Sequence, residues 1–229
     1  MKSLLIAGTW KSYKRIGDFV EWFDAFGKLF ASHKGTWEHI TIVLCPPYTL
    51  LSHCADRIQK DTLPLALGAQ DVSPFTEGAF TGEINAHQIA EFAQWSIIGH
   101  SERRRNLGET DALLLQKVTR AKETGLKIIY CVQDEATSVP EGVSVIAYEP
   151  PWAISAVSDW KAQDPASANR VCEKIAKKYP NVPIIYGGSS SPENITAFLT
   201  QPAISGVLSG GASLDPKKFF DMIASASTL

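Results

Sequence analysis

Short apolar runs alternate with amphipathic stretches along the 229 residues of the chain. The runs fall at 4–7, 40–44, 65–70, 95–99, 126–132, 143–148, 183–186 and 204–208. Each is continuous rather than alternating, which is the pattern of a strand covered on both faces. Between them the spacing changes to that of helices. From Asp18 to Phe30, the residues Phe19, Trp22, Phe23, Phe26 and Phe30 share one helical face. The opposite face has no dense cationic row, so this stripe is expected to pack on a sheet and not on a membrane. Further helices are predicted over 50–58, 86–93 and 111–124, the last closed by Gly125. Three capping pairs, Asp164-Pro165, Ser191-Pro192 and Asp215-Pro216, predict helix starts in the last third.

Strands alternating with helices imply parallel pairing through right-handed crossovers. An open doubly wound sheet satisfies this. Eight units in 229 residues fit a closed α/β barrel, (β/α)8, better. No break in composition marks a linker, so one domain over 1–229 is expected. One unit is short. Only Gln133 to Gly142, including Pro140, separates the fifth and sixth strands, too little for a full crossover helix. The helix there is predicted to be missing or reduced to about one turn.

Composition narrows the functional classes. A net charge of -2 gives no electrostatic case for nucleic acid. No apolar run has the length of a membrane span, and Met1-Lys2-Ser3 does not open a signal sequence. Cys45, Cys54, Cys131 and Cys172 lie far apart and read as reduced thiols. A cytoplasmic protein is expected.

In a parallel barrel, the carboxyl ends of the strands share one rim. Lys11 follows the first strand, His100 the fourth and Glu149 the sixth. Ser189 follows Gly187-Gly188, and Gly210-Gly211 follows the eighth strand. Taken singly, each has an ordinary structural explanation. Taken together they describe a site. Glycine turns before helices present N–H groups to phosphate. Glu149 is a candidate base, His100 can polarise a carbonyl, and Lys11 can offset negative charge. Pro150-Pro151 after Glu149 reads as a stiff hinge, and Trp152-Ala153-Ile154 as the apolar tip of a lid. These types fit proton abstraction beside a carbonyl in a small phosphorylated sugar. No paired histidines at zinc-binding spacing are present.

The chain resembles the triosephosphate isomerase family along nearly its whole length. The resemblance lies in Gly8-Thr9-Trp10-Lys11, Gly68-Ala69-Gln70, Gly78-Ala79-Phe80-Thr81-Gly82-Glu83, Ile97-Ile98-Gly99-His100-Ser101-Glu102-Arg103, Ala147-Tyr148-Glu149-Pro150, Trp152-Ala153-Ile154, Tyr186-Gly187-Gly188-Ser189 and Gly210-Gly211-Ala212-Ser213-Leu214. It implies a single TIM barrel that interconverts dihydroxyacetone phosphate and D-glyceraldehyde 3-phosphate through an enediolate, with no metal and no organic cofactor. Glu149 would be the base, neutral His100 the electrophile and Lys11 the charge stabiliser, as in the family's known mechanism. Glu102 would position Lys11 and His100. Thr9 and Lys11 would contact substrate, and backbone groups at Ser155, Ser189, Gly210 and Gly211 would hold the phosphate. The lid would be Pro150, Pro151, Trp152, Ala153, Ile154, Ser155, Ala156 and Val157. The loop from Asp71 to Glu83 would join two copies as a homodimer.

The departures from the family are specific. Thr9 stands where the family has asparagine, which implies weaker substrate contact or a less rigid lysine. Ser155-Ala156-Val157-Ser158 replaces Gly-Thr-Gly-Lys, so both lid glycines are lost. Cys131-Val132-Gln133-Asp134 lacks the family's Gly-Glu. Because Thr9 alters the surface that would receive the loop, a weakened dimer is expected. Two alternatives stand beside this reading. One is an epimerase-like phosphate-binding barrel, which needs metal-binding histidines and acids that the strand ends do not supply. The other is a catalytically weakened barrel with a binding or structural role.

Overall fold

The computed structural model describes residues 2–33, 37–153 and 163–229. Ile154, Ser155, Ala156 and Val157 of the expected lid lie outside the described residues. Eight parallel strands close into a barrel in chain order. They are β1 (Leu4–Thr9), β2 (Ile40–Cys45), β3 (Ala66–Ala69), β4 (Trp95–Ile98), β5 (Lys127–Val132), β6 (Val145–Tyr148), β7 (Ile184–Tyr186) and β8 (Gly206–Ser209). Closure comes from β1 pairing with both β2 and β8, as in Leu5↔Thr41 and Leu5↔Gly206.

The period of two within each strand divides the core. Leu5, Ala7, Val43, Cys45, Ile97, Ile129, Val145 and Leu208 form one buried cluster, the barrel interior. Their neighbours Leu4, Ile6, Ile42, Leu44, Ile98, Ile128, Ile146 and Val207 join a larger cluster with the surrounding helices. Those helices are α1 (Ile16–Ser32), α2 (Tyr48–Asp61), α3 (Ala86–Ala90), α4 (Ser101–Leu107), α5 (Asp111–Glu123), α6 (Pro165–Lys178), α7 (Ile195–Leu199) and α8 (Pro216–Ala226). The aromatic stripe of α1 packs inward: Phe19, Trp22, Phe23 and Phe26 are buried. Phe26 lies 6.1 Å from Phe219 and 6.3 Å from Phe220 of α8, ring to ring. The indole N–H groups of Trp10 and Trp22 both donate to the Ser213 carbonyl at 3.0 Å. The first and last parts of the chain are thus joined by one aromatic seam.

No helix separates β5 from β6. Asp134 instead closes a turn by accepting the N–H groups of Ala136 and Thr137 at 2.9 and 2.8 Å. Neighbouring helices cover the gap. Lys174 of α6 pairs with Glu135 at 2.8 Å, and the hydroxyl of Tyr179 accepts from Val139 N–H at 3.1 Å.

Two expectations about helices need correction. Ser191-Pro192 does not begin a helix; α7 starts at Ile195, whose N–H donates to the Ser191 carbonyl. The Asn194 side chain accepts from Ser191 N–H at 2.8 Å, so the pair forms a turn that delays the helix. By contrast, Asp164 and Asp215 do cap α6 and α8. The second correction is α4, which the apolar pattern does not announce. Its sequence Ser-Glu-Arg-Arg-Arg-Asn-Leu carries almost no apolar signal.

Candidate active site

The carboxyl ends of β1, β4, β6, β7 and β8 surround a cavity of 230 Å³. Thr9, Lys11, His100, Glu149, Ser189, Gly210 and Gly211 all line it, together with Gly187 and Gly188. The barrel therefore gathers residues spread over about two hundred positions of sequence.

Glu149 follows β6 and is 1% exposed. Its backbone N–H continues the ladder to the Val132 carbonyl at 2.8 Å. Its carboxylate has two partners at the start of α4: Oε2 accepts Ser101 N–H at 2.8 Å, and Oε1 lies 3.1 Å from His100 Nε2. Gly187 makes room for it, since a Cβ there would sit 2.7 Å from Glu149 Cγ.

His100 is the N-cap of α4, and its Nδ1 accepts Glu102 N–H at 3.2 Å. A nitrogen accepting a backbone N–H carries no proton, so the proton of the neutral ring is on Nε2. That N–H points at Glu149. The free N–H groups that begin a helix usually need external partners. Here α4 directs two of them to Glu149 and His100.

Lys11 leaves β1 in a left-handed conformation, with φ of 49°. The Thr9 hydroxyl accepts Lys11 N–H at 3.3 Å, and the Gln70 amide donates to the Lys11 carbonyl at 2.9 Å. Threonine thus supplies a local acceptor for this turn. The Lys11 ammonium pairs with Glu102 at 2.5 Å, and Glu102 also lies 3.8 Å from His100 Nδ1. Burial works to raise the Glu102 carboxyl. The hydrogen bond and charge of Lys11 more than offset it, and Glu102 is held below its ordinary value. Gly210 lies close to the lysine: a Cβ there would sit 3.0 Å from Lys11 Cε.

Ser189 is already engaged. Its N–H and hydroxyl both donate to the Ala153 carbonyl, at 2.9 and 2.8 Å. Pro151–Ala153 form a single 3-10 turn in which Ala153 is buried and Trp152 is 59% exposed. Gln163 N–H donates to the Tyr186 hydroxyl at 3.2 Å.

A second group of charges lies behind α4 and was missed in the sequence. Arg103 contacts Asp71 at 2.7 Å and Glu109 at 2.8 Å. Lys117, 3% exposed, contacts Asp71 at 2.6 Å and also pairs with Glu109. The only sequence sign was a run of three arginines, Arg103 to Arg105. Among the described residues, no group of three or more histidines, cysteines or acids is placed to hold a metal. No described helix is long and apolar enough to cross a membrane.

A profile of the triosephosphate isomerase family matches residues 4–226. The chain belongs to the triosephosphate isomerase family. The triosephosphate isomerase of Gloeobacter violaceus is 36% identical over 96% of this chain and 97% of its own length. That of Dictyoglomus thermophilum is 35% identical over 98% of this chain and its full length. The crystal structure of triosephosphate isomerase from Bartonella henselae superposes with a TM-score of 0.81 at 28% identity, covering 98% of this chain and 99% of that one. The family relationship makes the chain an isomerase.

Proposed function

We propose that this chain interconverts dihydroxyacetone phosphate and D-glyceraldehyde 3-phosphate through an enediolate. The observation that carries the reading is the 3.1 Å approach of Glu149 Oε1 to His100 Nε2 in a cavity walled by two glycine turns. Glu149 is the base. To reach a substrate carbon, its carboxylate gives up Ser101 N–H. His100 turns its Nε2–H from Glu149 to the substrate oxygen and so stabilises the developing oxyanion. Lys11 offsets the remaining charge, and Glu102 positions it. The phosphate is held by backbone N–H groups at Gly210, Gly211 and Ser189, and by Ser155 from the lid. For Ser189 N–H to serve, the Ala153 carbonyl must withdraw, which couples phosphate binding to movement of the Pro150 to Val157 lid. Water exclusion by that lid protects the enediolate. The step needs only side chains and backbone groups of this chain.

The test is turnover of glyceraldehyde 3-phosphate. Replacing Glu149→Gln is expected to lower kcat by ~10³-fold, in line with loss of a general base. Glu149→Asp, with the carboxylate drawn back by about 1 Å, is expected to lose roughly 10²-fold. Wild-type turnover no higher than that of Glu149→Gln would sink the reading.

The same reading includes one domain over 1–229, a cytoplasmic location and a homodimer. Four buried free cysteines support a reducing compartment. The loop from Asp71 to Glu83 carries Phe75 and Phe80, stacked at 4.2 Å and about two-fifths exposed. A second cavity of 250 Å³ beside Thr9, Lys11, Tyr13 and Glu102 is suited to receive a partner loop. With Thr9 in its wall, the dimer is expected to dissociate on dilution. Sedimentation would show this, and a dimer persisting at nanomolar protein would exclude weakening.

A further inference from the structure

The phosphate end of the cavity has a cation that the chemistry above leaves unused. Lys218 lines the same cavity as the turns at Gly187-Gly188 and Gly210-Gly211. It stands in the first turn of α8. There Asp215 Oδ1 accepts the N–H groups of Lys217 and Lys218 at 2.8 and 2.9 Å, which fixes where both side chains leave the backbone. The two lysines then differ. Lys217 pairs with Asp221 at 2.6 Å, one helical turn on. Among the described residues, no carboxylate lies within 4.0 Å of the Lys218 ammonium.

Glu193 also lines this cavity. Its carboxyl is held below the ordinary value, first by a hydrogen bond from Ser191, with the charge of Lys218 acting in the same direction. The other cation of the cavity, Lys11, is engaged with Glu102. Glycine N–H groups are dipoles, not charges. A dianion entering these turns meets the Glu193 carboxylate, and Lys218 is the cation placed to offset it.

We propose that Lys218 is a further substrate-binding residue, the cation of the phosphate end, and that Glu193 opposes it and limits how tightly phosphate is held. This rests on the reading of the glycine turns as the phosphate site. It places a charged pair, adjustable by salt, at the one end of the substrate where no bond is made or broken.

The experiment titrates inorganic phosphate into the whole nitrogen-15-labelled protein and follows the Gly210 and Gly211 amide signals. At low salt, Lys218→Met should weaken phosphate binding about threefold and Glu193→Gln should tighten it about twofold, the range for exposed charges a few ångströms from a ligand. Lys218→Arg should bind like wild type, and added sodium chloride should shrink both differences. If phosphate moves the two amides in wild type but binds Lys218→Met equally well, Lys218 is a surface charge and the proposal fails alone. If phosphate leaves both amides unmoved in wild type, the phosphate reading of the turns fails and takes this proposal with it.

Discussion

Helix α4 sends consecutive residues into two groups of charges that differ in almost every respect. Glu102 turns toward the cavity, where it meets Lys11 in a pair left about one-fifth to one-quarter exposed. Arg103 turns the other way, to Asp71 and Glu109, which Lys117 bridges from below. The cavity group is loosely satisfied: each member has few partners, and those partners are replaceable by a substrate. The rear group shares its contacts among two cations and two carboxylates; Lys117, Asp71 and Glu109 are largely buried, while the Arg103 side chain is 34% exposed. The protonation behaviour follows. Lys11 holds Glu102 below its ordinary value despite burial. At Asp71 burial wins over the charges of Lys117 and Arg103, and its carboxyl is raised. Partial solvation lets charges change partners, whereas the burial of Lys117, Asp71 and Glu109 makes each of these three depend on the others staying in place.

This contrast can be broken from either side. The largest effect is expected at Glu149, where Glu149→Gln lowers kcat by ~10³-fold yet leaves the melting temperature almost unchanged. Lys117→Met should do the reverse. It leaves Asp71 and Glu109 with Arg103 alone and should cost about 3–5 kcal/mol of stability, a fall of roughly 10 °C on thermal melting. Equal melting temperatures for wild type and Lys117→Met would erase the distinction between the groups. The smallest effect sharpens it. Because Glu102 is depressed in the folded protein, its pair contributes stability above the ordinary carboxylate pKa of about 4.3. That contribution is lost as pH falls through the lower folded value. Urea unfolding of Glu102→Gln should therefore fall short of wild type by less than about 1 kcal/mol at pH 7. The difference should shrink as the pH is lowered through that folded value. A gap that persists unchanged into acid would mean that Glu102 acts through something other than its charge.

The same helix shows what could be read in advance. The strands were legible because residues such as Ile42, Ile129 and Ile146 are apolar on both faces of the sheet. The short connection after β5 was legible from its length and Pro140. Lys11, His100 and Glu149 were legible because alternation alone puts strand ends on one rim. Helix α4 was not, since Ser101 to Leu107 has no apolar period. It is held by its neighbours: Arg104 donates to the Gly99 carbonyl at 2.9 Å and lies over the Tyr130 ring. The capture of Glu149 by Ser101 N–H was equally hidden, because backbone donors leave no mark on the sequence. The rear charges were missed for a different reason. Lys117 and Asp71 are 46 positions apart and meet only after β3 and α5 have packed. Ser191-Pro192 misled because its pattern fits both a helix cap and a turn, and Asn194 selects the turn.

The aromatic seam between α1 and α8 has a consequence for how the protein is made. Ribosomes release chains from the amino end, and the face of α1 bearing Phe19, Trp22, Phe23 and Phe26 is complete long before Phe219 and Phe220 exist. Until α8 is made, Trp22 and Phe26 lack the rings that cover them in the fold. That interval is when a nascent chain is most exposed to aggregation and most in need of a chaperone.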